Sequence, residues 1–229
     1  MCINIAIAGP AGSGKSTISK AVAKKLEFIY VDTGALYRTV GLKLLNLNCT
    51  ADNEEEVSNI LKNTTVELKY INDEQKVFLD GEDVADKIRT PQASMMASKC
   101  SALPIVRSYL LDMQRDIAKN NSIIMDGRDI GTVVLPFADV KIFLTASSKA
   151  RAERRYKELI EKGINVEFND VLSDIEKRDY NDSNRNIAPL KPSEDSVFVD
   201  TSELSLEESI QLVYDIVIKY INSQIKEYI

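Results

Sequence analysis

The sequence predicts an α/β fold built on a parallel β-sheet, and three observations carry that expectation. The chain opens as strand, helix, strand within about 30 residues, the signature of a βαβ unit. A glycine-rich turn of the form GxxxxGK[ST] joins the first strand to the helix. Three further short, β-branched runs recur downstream with helical patterns between them, as strands covered on both faces should.

Taken in order, Ile3-Asn4-Ile5-Ala6-Ile7-Ala8 is the first strand. Ser16 to Leu26 has helical apolar spacing at Ile18, Val22, Ala23 and Leu26, and Phe28-Ile29-Tyr30-Val31 reads as the second strand. Residues 64–88 differ. Thr65 to Ile71 alternates polar and apolar, Asn72-Asp73 marks a turn, and Lys76-Val77-Phe78-Leu79 follows before Asp80-Gly81. This is an antiparallel hairpin with one wet face, an insert beside the parallel core. Pro104 to Lys119 is helical through Ile105, Val106, Leu110, Met113 and Ile117. Ser122–Met125, Val140–Leu144 and Ser196–Asp200 are strands. Leu206 to Ile221 is the last helix, with Ser205 as its cap ahead of Glu207 and Glu208. No repeat or low-complexity linker interrupts the 229 residues, so a single domain with a subdomain insert is expected.

Composition narrows the function. With 29 Lys+Arg against 35 Asp+Glu, the net charge of −6 disfavours a bulk-basic nucleic-acid binder, and there is no aromatic stacking stripe for RNA. There is no His, which excludes Ser-His-Asp and Cys-His triads and any His-ligated metal. Cys2, Cys49 and Cys100 lack CxxC spacing and read as buried thiols of a reducing compartment. No apolar run reaches the ~18 residues of a membrane span. The first strand begins at Ile3, which leaves no room for a signal peptide. A cytoplasmic location is therefore expected.

Gly9-Pro10-Ala11-Gly12-Ser13-Gly14-Lys15-Ser16-Thr17 sits where a phosphate-binding loop must, after a strand and before a helix. The glycines let the backbone turn tightly with its N–H groups inward, and those donors and the helix N-terminus hold phosphates. Lys15 adds a point charge, the Ser16 hydroxyl suits Mg²⁺, and Thr17 is expected to reach the α-phosphate. Asp126 ends a strand at the carboxyl edge of the sheet and suits Mg²⁺ coordination through water. The bland alternative for Asp126 is a helix cap.

Two more segments follow strands and should emerge on the same sheet edge. Asp32-Thr33-Gly34-Ala35-Leu36-Tyr37-Arg38 and Asp126-Gly127-Arg128-Asp129 each deliver an arginine, the preferred bidentate clamp for phosphate. Together with DGRDIGT at 126–132, KIFLTASS at 141–148, RDYNDSNR at 178–185, Ala188-Pro189-Leu190 and the hairpin at 64–88, they resemble the bacterial cytidylate kinases. These belong to the nucleoside monophosphate kinases among the P-loop kinases. The resemblance covers nearly the whole chain.

The resemblance implies a P-loop kinase fold with a roughly five-stranded parallel sheet flanked by helices. The core would take about 1–35, 103–149 and 171–229. A monophosphate-binding region would span about 36–102, enlarged by the small antiparallel insert, and a short helical lid about 150–170. It implies that Thr33, Arg38, Arg128 and Arg185 hold the acceptor phosphate, that Arg178 and Asp182 contact the sugar, and that Ser98, Arg107 and Asp129 read the base. Thr33 is a departure, since the family often has Ser there, but the hydroxyl is kept. The base assignment has independent chemical sense. Asp129 can accept from the cytosine N4 amine while Arg107 and Ser98 donate to N3 and O2. The carbonyl of uracil at that position would face a carboxylate.

Lys149-Ala150-Arg151-Ala152-Glu153-Arg154-Arg155 is densely basic, and Arg151, Arg154 and Arg155 share a helix face at i, i+3 and i+4. A basic helix closing over a triphosphate neutralises developing charge and expels water. By resemblance, Arg154 and Arg155 make transition-state contacts and Arg151 packs against adenine. The expected reaction is Mg²⁺-assisted transfer from ATP to CMP or dCMP by a monomer. The rivals are a P-loop kinase for UMP, AMP or a small metabolite, and a nucleotide-driven switch. A guanine-reading NKxD segment is absent.

Overall fold

The computed structural model describes residues 2–71 and 74–227. The expected Asn72-Asp73 turn lies outside the described residues. In chain order the elements are β1 (Asn4–Ala8), α1 (Lys15–Leu26), β2 (Ile29–Asp32), α2 (Thr33–Asn46), α3 (Glu54–Lys62), β3 (Val66–Ile71), β4 (Glu74–Leu79) and β5 (Glu82–Asp83). Then come α4 (Pro91–Cys100), α5 (Pro104–Asn120), β6 (Ile123–Gly127), a π-helical turn (Ile130–Val134), β7 (Val140–Thr145), α6 (Ser148–Glu161), α7 (Phe168–Asn184), β8 (Val197–Asp200) and α8 (Leu206–Glu227).

The strands form a five-stranded sheet in the order β2-β6-β1-β7-β8 and a three-stranded sheet β3-β4-β5. In the larger sheet β6–β1, β1–β7 and β7–β8 pair in parallel. The register sets Ile7 beside Asp126 and Ala8 beside Gly127, so the loops after β1 and β6 leave the sheet at one level. The expected parallel core and antiparallel insert are both present.

The chain divides into two compact units, Met1–Tyr30 with Asn121–Ile229, and Val31–Asn120. In the first, Ile5, Ile7, Ile124, Ile142 and Leu144 project from one face of the sheet. They pack on Ile18 and Val22 of α1 and on Val213 and Val217 of α8. Alternate residues of each strand share this face, as the period of two requires. Ser205 caps α8 reciprocally: its Oγ accepts from Glu208 N at 3.2 Å, while its N–H donates to Glu208 Oε2 at 2.8 Å. The helix runs to Glu227, beyond the Ile221 end that the apolar spacing gives.

The second unit has its own core, in which Leu36, Val40 and Leu44 of α2 meet Val57 and Leu61 of α3. Val66, Val77 and Leu79 of the small sheet and Val106 and Leu110 of α5 complete it. Because α5 shares this core, the unit is wider than the 36–102 segment read from the sequence. A Cβ on Gly41 would lie 3.0 Å from Ala97 N and 3.2 Å from Ala93 O, so the missing side chain is what lets α2 and α4 lie backbone to backbone. Across the 150–170 segment expected as a lid, α6 packs on the following α7 around Ala152, Val171 and Ile175.

Candidate active site

The phosphate-binding loop follows β1 and opens α1. Gly9 is a steric necessity, because a Cβ there would lie 1.9 Å from the Leu144 carbonyl oxygen of β7. Gly12 and Gly14 have φ of +75° and +87°, the left-handed region that side chains strain to enter. No side chain caps α1 at Gly14, so the first-turn N–H groups stay available to an anion. Lys15 is 6% exposed and its Nζ donates to Pro10 O at 2.6 Å. Ser16 and Thr17 are exposed at the helix start.

Charged groups of the same unit surround this loop. Burial pushes the Lys15 ammonium well below the usual lysine range; Arg128 and Arg178 push the same way, while Asp126 and Asp182 oppose. Cations crowded near a buried ammonium mark a site that a polyanion relieves. Arg128 Nε donates to Asp182 Oδ2 at 2.7 Å. Burial alone would raise the Asp182 carboxyl, but Arg128, by charge and hydrogen bond, and then Arg178 and Arg185 hold it below the ordinary carboxylate range. Asp129 is buried with Oδ1 3.8 Å from Arg185 Nη2. Arg185 Nε donates to Ala188 O at 2.7 Å, and Leu190 N to Asp182 O at 2.8 Å, which ties the Ala188-Pro189-Leu190 loop to the end of α7. RDYNDSNR thus works through helical spacing, with Arg178 and Asp182 four apart on one face.

The three arginines of α6 do not form one open cationic face. Arg151 is 4% exposed: Nε donates to Ala146 O at 2.8 Å, Nη1 to Ala11 O at 2.9 Å, and the guanidinium pairs with both carboxylate oxygens of Asp179. It therefore reaches the phosphate loop through the Ala11 carbonyl, with its side-chain stem beside Gly12. Arg154 donates to the Thr201 carbonyl and hydroxyl. Arg155 is exposed and pairs with Glu158 at 2.7 Å. Helical periodicity places three residues on one side but is blind to the carbonyls at Ala11, Ala146 and Thr201 that divide their fates.

In the second unit, Asp32 caps α2 by accepting from Ala35 N at 2.9 Å and also accepts from Arg38 Nη2 at 2.9 Å. Gly34 permits that fold-back, since a Cβ would sit 3.0 Å from both Arg38 Nη1 and Asp32 Oδ1. Thr33 is buried at the first position of the helix. The insert supports this corner, for Gln75 Oε1 on β4 accepts from Asp32 N at 2.9 Å. Arg107 is buried, donates to Ser101 O at 3.0 Å and lies 5.7 Å from the centre of the Tyr37 ring. Ser98 is half-buried on α4. Asp32, Tyr37, Gln75 and Asp179 were missed by the sequence reading. Only Asp32 carried a signal, an N-cap acid three residues before the Ala35 N–H.

Among the described residues no cluster of three His, Cys, Asp or Glu could cage a metal. The oxygen donors Ser16 and Asp126 suit Mg²⁺ instead, a hard cation that takes one or two protein oxygens and completes its shell with phosphates and water.

The chain matches the cytidylate kinase family over residues 5–222. It is 50% identical to the cytidylate kinase of Caldicellulosiruptor saccharolyticus over 97% of this chain and 99% of that one. It is 51% identical to the cytidylate kinase of Thermosipho melanesiensis over 95% and 97%. Among solved structures it is similar to shikimate kinase from Bacteroides thetaiotaomicron, at 12% identity, 94% and 98% coverage and a TM-score of 0.48. A phosphate-binding loop ringed by arginines, in a chain half identical to cytidylate kinases from end to end, makes this protein a member of the cytidylate kinase family.

Proposed function

We propose that this chain transfers the γ-phosphoryl group of ATP to CMP or dCMP, giving ADP and CDP or dCDP. The observation that carries the reading is the 50% identity to a cytidylate kinase over 97% of this chain; the buried Lys15 of the loop, with Arg128 and Arg178 near it and Asp126 and Asp182 opposing them, agrees with it. Such a site is stabilised by bound phosphates and gains from charge that spreads onto the γ-oxygens.

The backbone of Gly9–Thr17 holds the donor phosphates, with Lys15 moving to the β- and γ-oxygens. Ser16 and, through water, Asp126 would hold Mg²⁺, which would neutralise phosphate charge when bound. Arg128 and Arg185, with Thr33 and Arg38, bind the acceptor phosphate. Arg178 and Asp182 bind the sugar, and Asp129, Arg107 and Ser98 read cytosine. Arg154 and Arg155 supply charge during transfer, and Arg151 serves the ATP site through the loop it supports. No general base is needed, because the acceptor phosphate, with a second pKa of about 6, is mostly dianionic near neutral pH. Catalysis rests on alignment and charge neutralisation. We take the enzyme to act as a monomer in the cytoplasm; among the described residues no helix is long and apolar enough to cross a membrane.

The test is coupled turnover with CMP, dCMP, UMP and AMP. CMP and dCMP are the expected substrates. UMP should be poorer by about 5- to 150-fold, the range that one unpaired buried polar group costs. AMP or UMP used as well as CMP would refute the base assignment.

A further inference from the structure

We propose that Arg151 and Asp179 form a brace that sets the peptide planes of the phosphate loop, making both positioning residues for ATP. The inference rests on the reading that this loop binds ATP. It adds a role for Asp179 and a purpose for the burial of Arg151.

A trans peptide is planar, so a carbonyl and the N–H that follows it point in opposite directions. Holding the Ala11 carbonyl on one side therefore aims the Gly12 N–H to the other. Gly12, at φ +75°, has no side chain to hold its own orientation. The Arg151 Nη1 donor at 2.9 Å supplies the missing constraint. A Cβ on Gly12 would meet Arg151 Cβ at 3.4 Å, so the arginine stem also packs against the loop. Next along the loop, the Pro10 carbonyl is held by Ser13 Oγ at 3.1 Å. Consecutive planes are thus pinned by their carbonyls, which leaves the N–H groups facing an anion.

Asp179 gives the arginine its aim. Four of the five guanidinium N–H groups are used, to Ala146, to Ala11 and twice to Asp179. The paired carboxylate fixes the guanidinium plane, and with Nε on Ala146 the second Nη1 hydrogen must point at Ala11. A cation this buried is held only while it is paired. Removing the carboxylate charge therefore releases the guanidinium outward and the loop loses its support. Arg151 comes from α6 and Asp179 from α7, so the helix pair that follows β7 is joined to the loop through this contact.

The experiment uses the full chain and compares wild type with Asp179→Asn, Asp179→Glu and Arg151→Lys. ATP and CMP affinities are measured separately by calorimetry, and the Gly12 and Gly14 amide resonances are followed on adding ATP. In Asp179→Asn the Kd and KM for ATP should rise about tenfold, the scale of losing the net worth of about one hydrogen bond to the phosphates. CMP affinity should stay within about twofold and kcat at saturating ATP within about threefold. The ATP-induced shift of Gly12 should shrink, and Asp179→Glu should recover part of the loss. Arg151→Lys, which keeps the charge but cannot reach three acceptors, should show the same ATP-specific defect, and it decides the matter if Asp179→Asn does not fold. Unchanged ATP affinity, or equal weakening of ATP and CMP, overturns the brace, as does a wild type that does not bind ATP. A wild type that binds ATP but does not phosphorylate CMP defeats the proposed reaction, while an ATP-specific defect in Asp179→Asn still supports the brace.

Discussion

Gly9→Ala tests the phosphate loop at its narrowest point. The added Cβ would sit 1.9 Å from the Leu144 carbonyl oxygen, whereas real contacts do not fall below 3.0 Å. One backbone must therefore retreat by about 1 Å, a distance that costs on the order of 100-fold in rate when it misplaces reacting groups. Leu144 is fully buried in the interior strand β7, which has paired neighbours on both sides, so the loop is the partner that yields. Overpacking should cost about 1–3 kcal/mol of stability. Gly81→Ala is the control. Gly81 has φ of +86° but open space around it, so the change should cost about 1 kcal/mol through backbone strain alone and leave turnover unaltered. Steady-state kinetics with ATP and CMP, alongside denaturant unfolding, separate the two effects. Gly9→Ala with kcat/KM within threefold of wild type would mean that the loop position does not govern the chemistry.

Further predictions follow from the same geometry. Lys15→Ala should abolish turnover while the circular dichroism spectrum stays native; substantial remaining activity would remove the loop lysine from the mechanism. Asp129→Asn should lower the CMP/UMP ratio of kcat/KM and, because Arg185 lies 3.8 Å away, raise the KM for CMP; an unchanged ratio counts against the N4 contact. The sequence reading of three buried thiols fails at Cys2, which is exposed near the chain start. In the native protein a thiol reagent should therefore label Cys2 and spare buried Cys49 and Cys100, since burial pushes the Cys100 thiol up to about 12; rapid loss of all three thiols contradicts the packing. Asp182 stabilises the fold while ionised. Its carboxyl is held below the unfolded value of about 3.9, so its contribution is complete above that pH and fades as pH falls through the lower folded value. The urea-midpoint gap between wild type and Asp182→Asn should therefore be full at pH 6 and shrink below about pH 4. A gap that instead widens with acid has the wrong sign for this pairing.

Much of this was legible before any coordinates. The βαβ opening, the GxxxxGK[ST] turn and the alternation in Val66-Glu67-Leu68 are local patterns whose periods match the backbone geometry that they dictate. They placed the loop, the strands and the insert to within a few residues. Asp126 and Arg128 stood out because they follow a strand, where one element suffices to set direction, whereas Arg178 and Asp182 came only from the resemblance to the family. The helices α2, α3 and α4 were harder. The α2–α4 contact depends on Gly41 lying against Ala93 and Ala97, and no window around Gly41 contains its partners.

Residue types and their spacing were thus enough to establish the fold class and the GxxxxGK[ST] loop, because each is written in neighbours along the chain; the arginines around the loop were proposed partly from position after strands and partly from the family resemblance. How those arginines are used was decided by folding. Arg151, Arg154 and Arg155 are alike in sequence, yet one is buried against Asp179 and Ala11, one is tied to Thr201 and one is exposed beside Glu158. Three of those four partners lie 28 to 140 residues away, and a guanidinium's role is set by whichever acceptors the packed chain brings within about 3 Å of it.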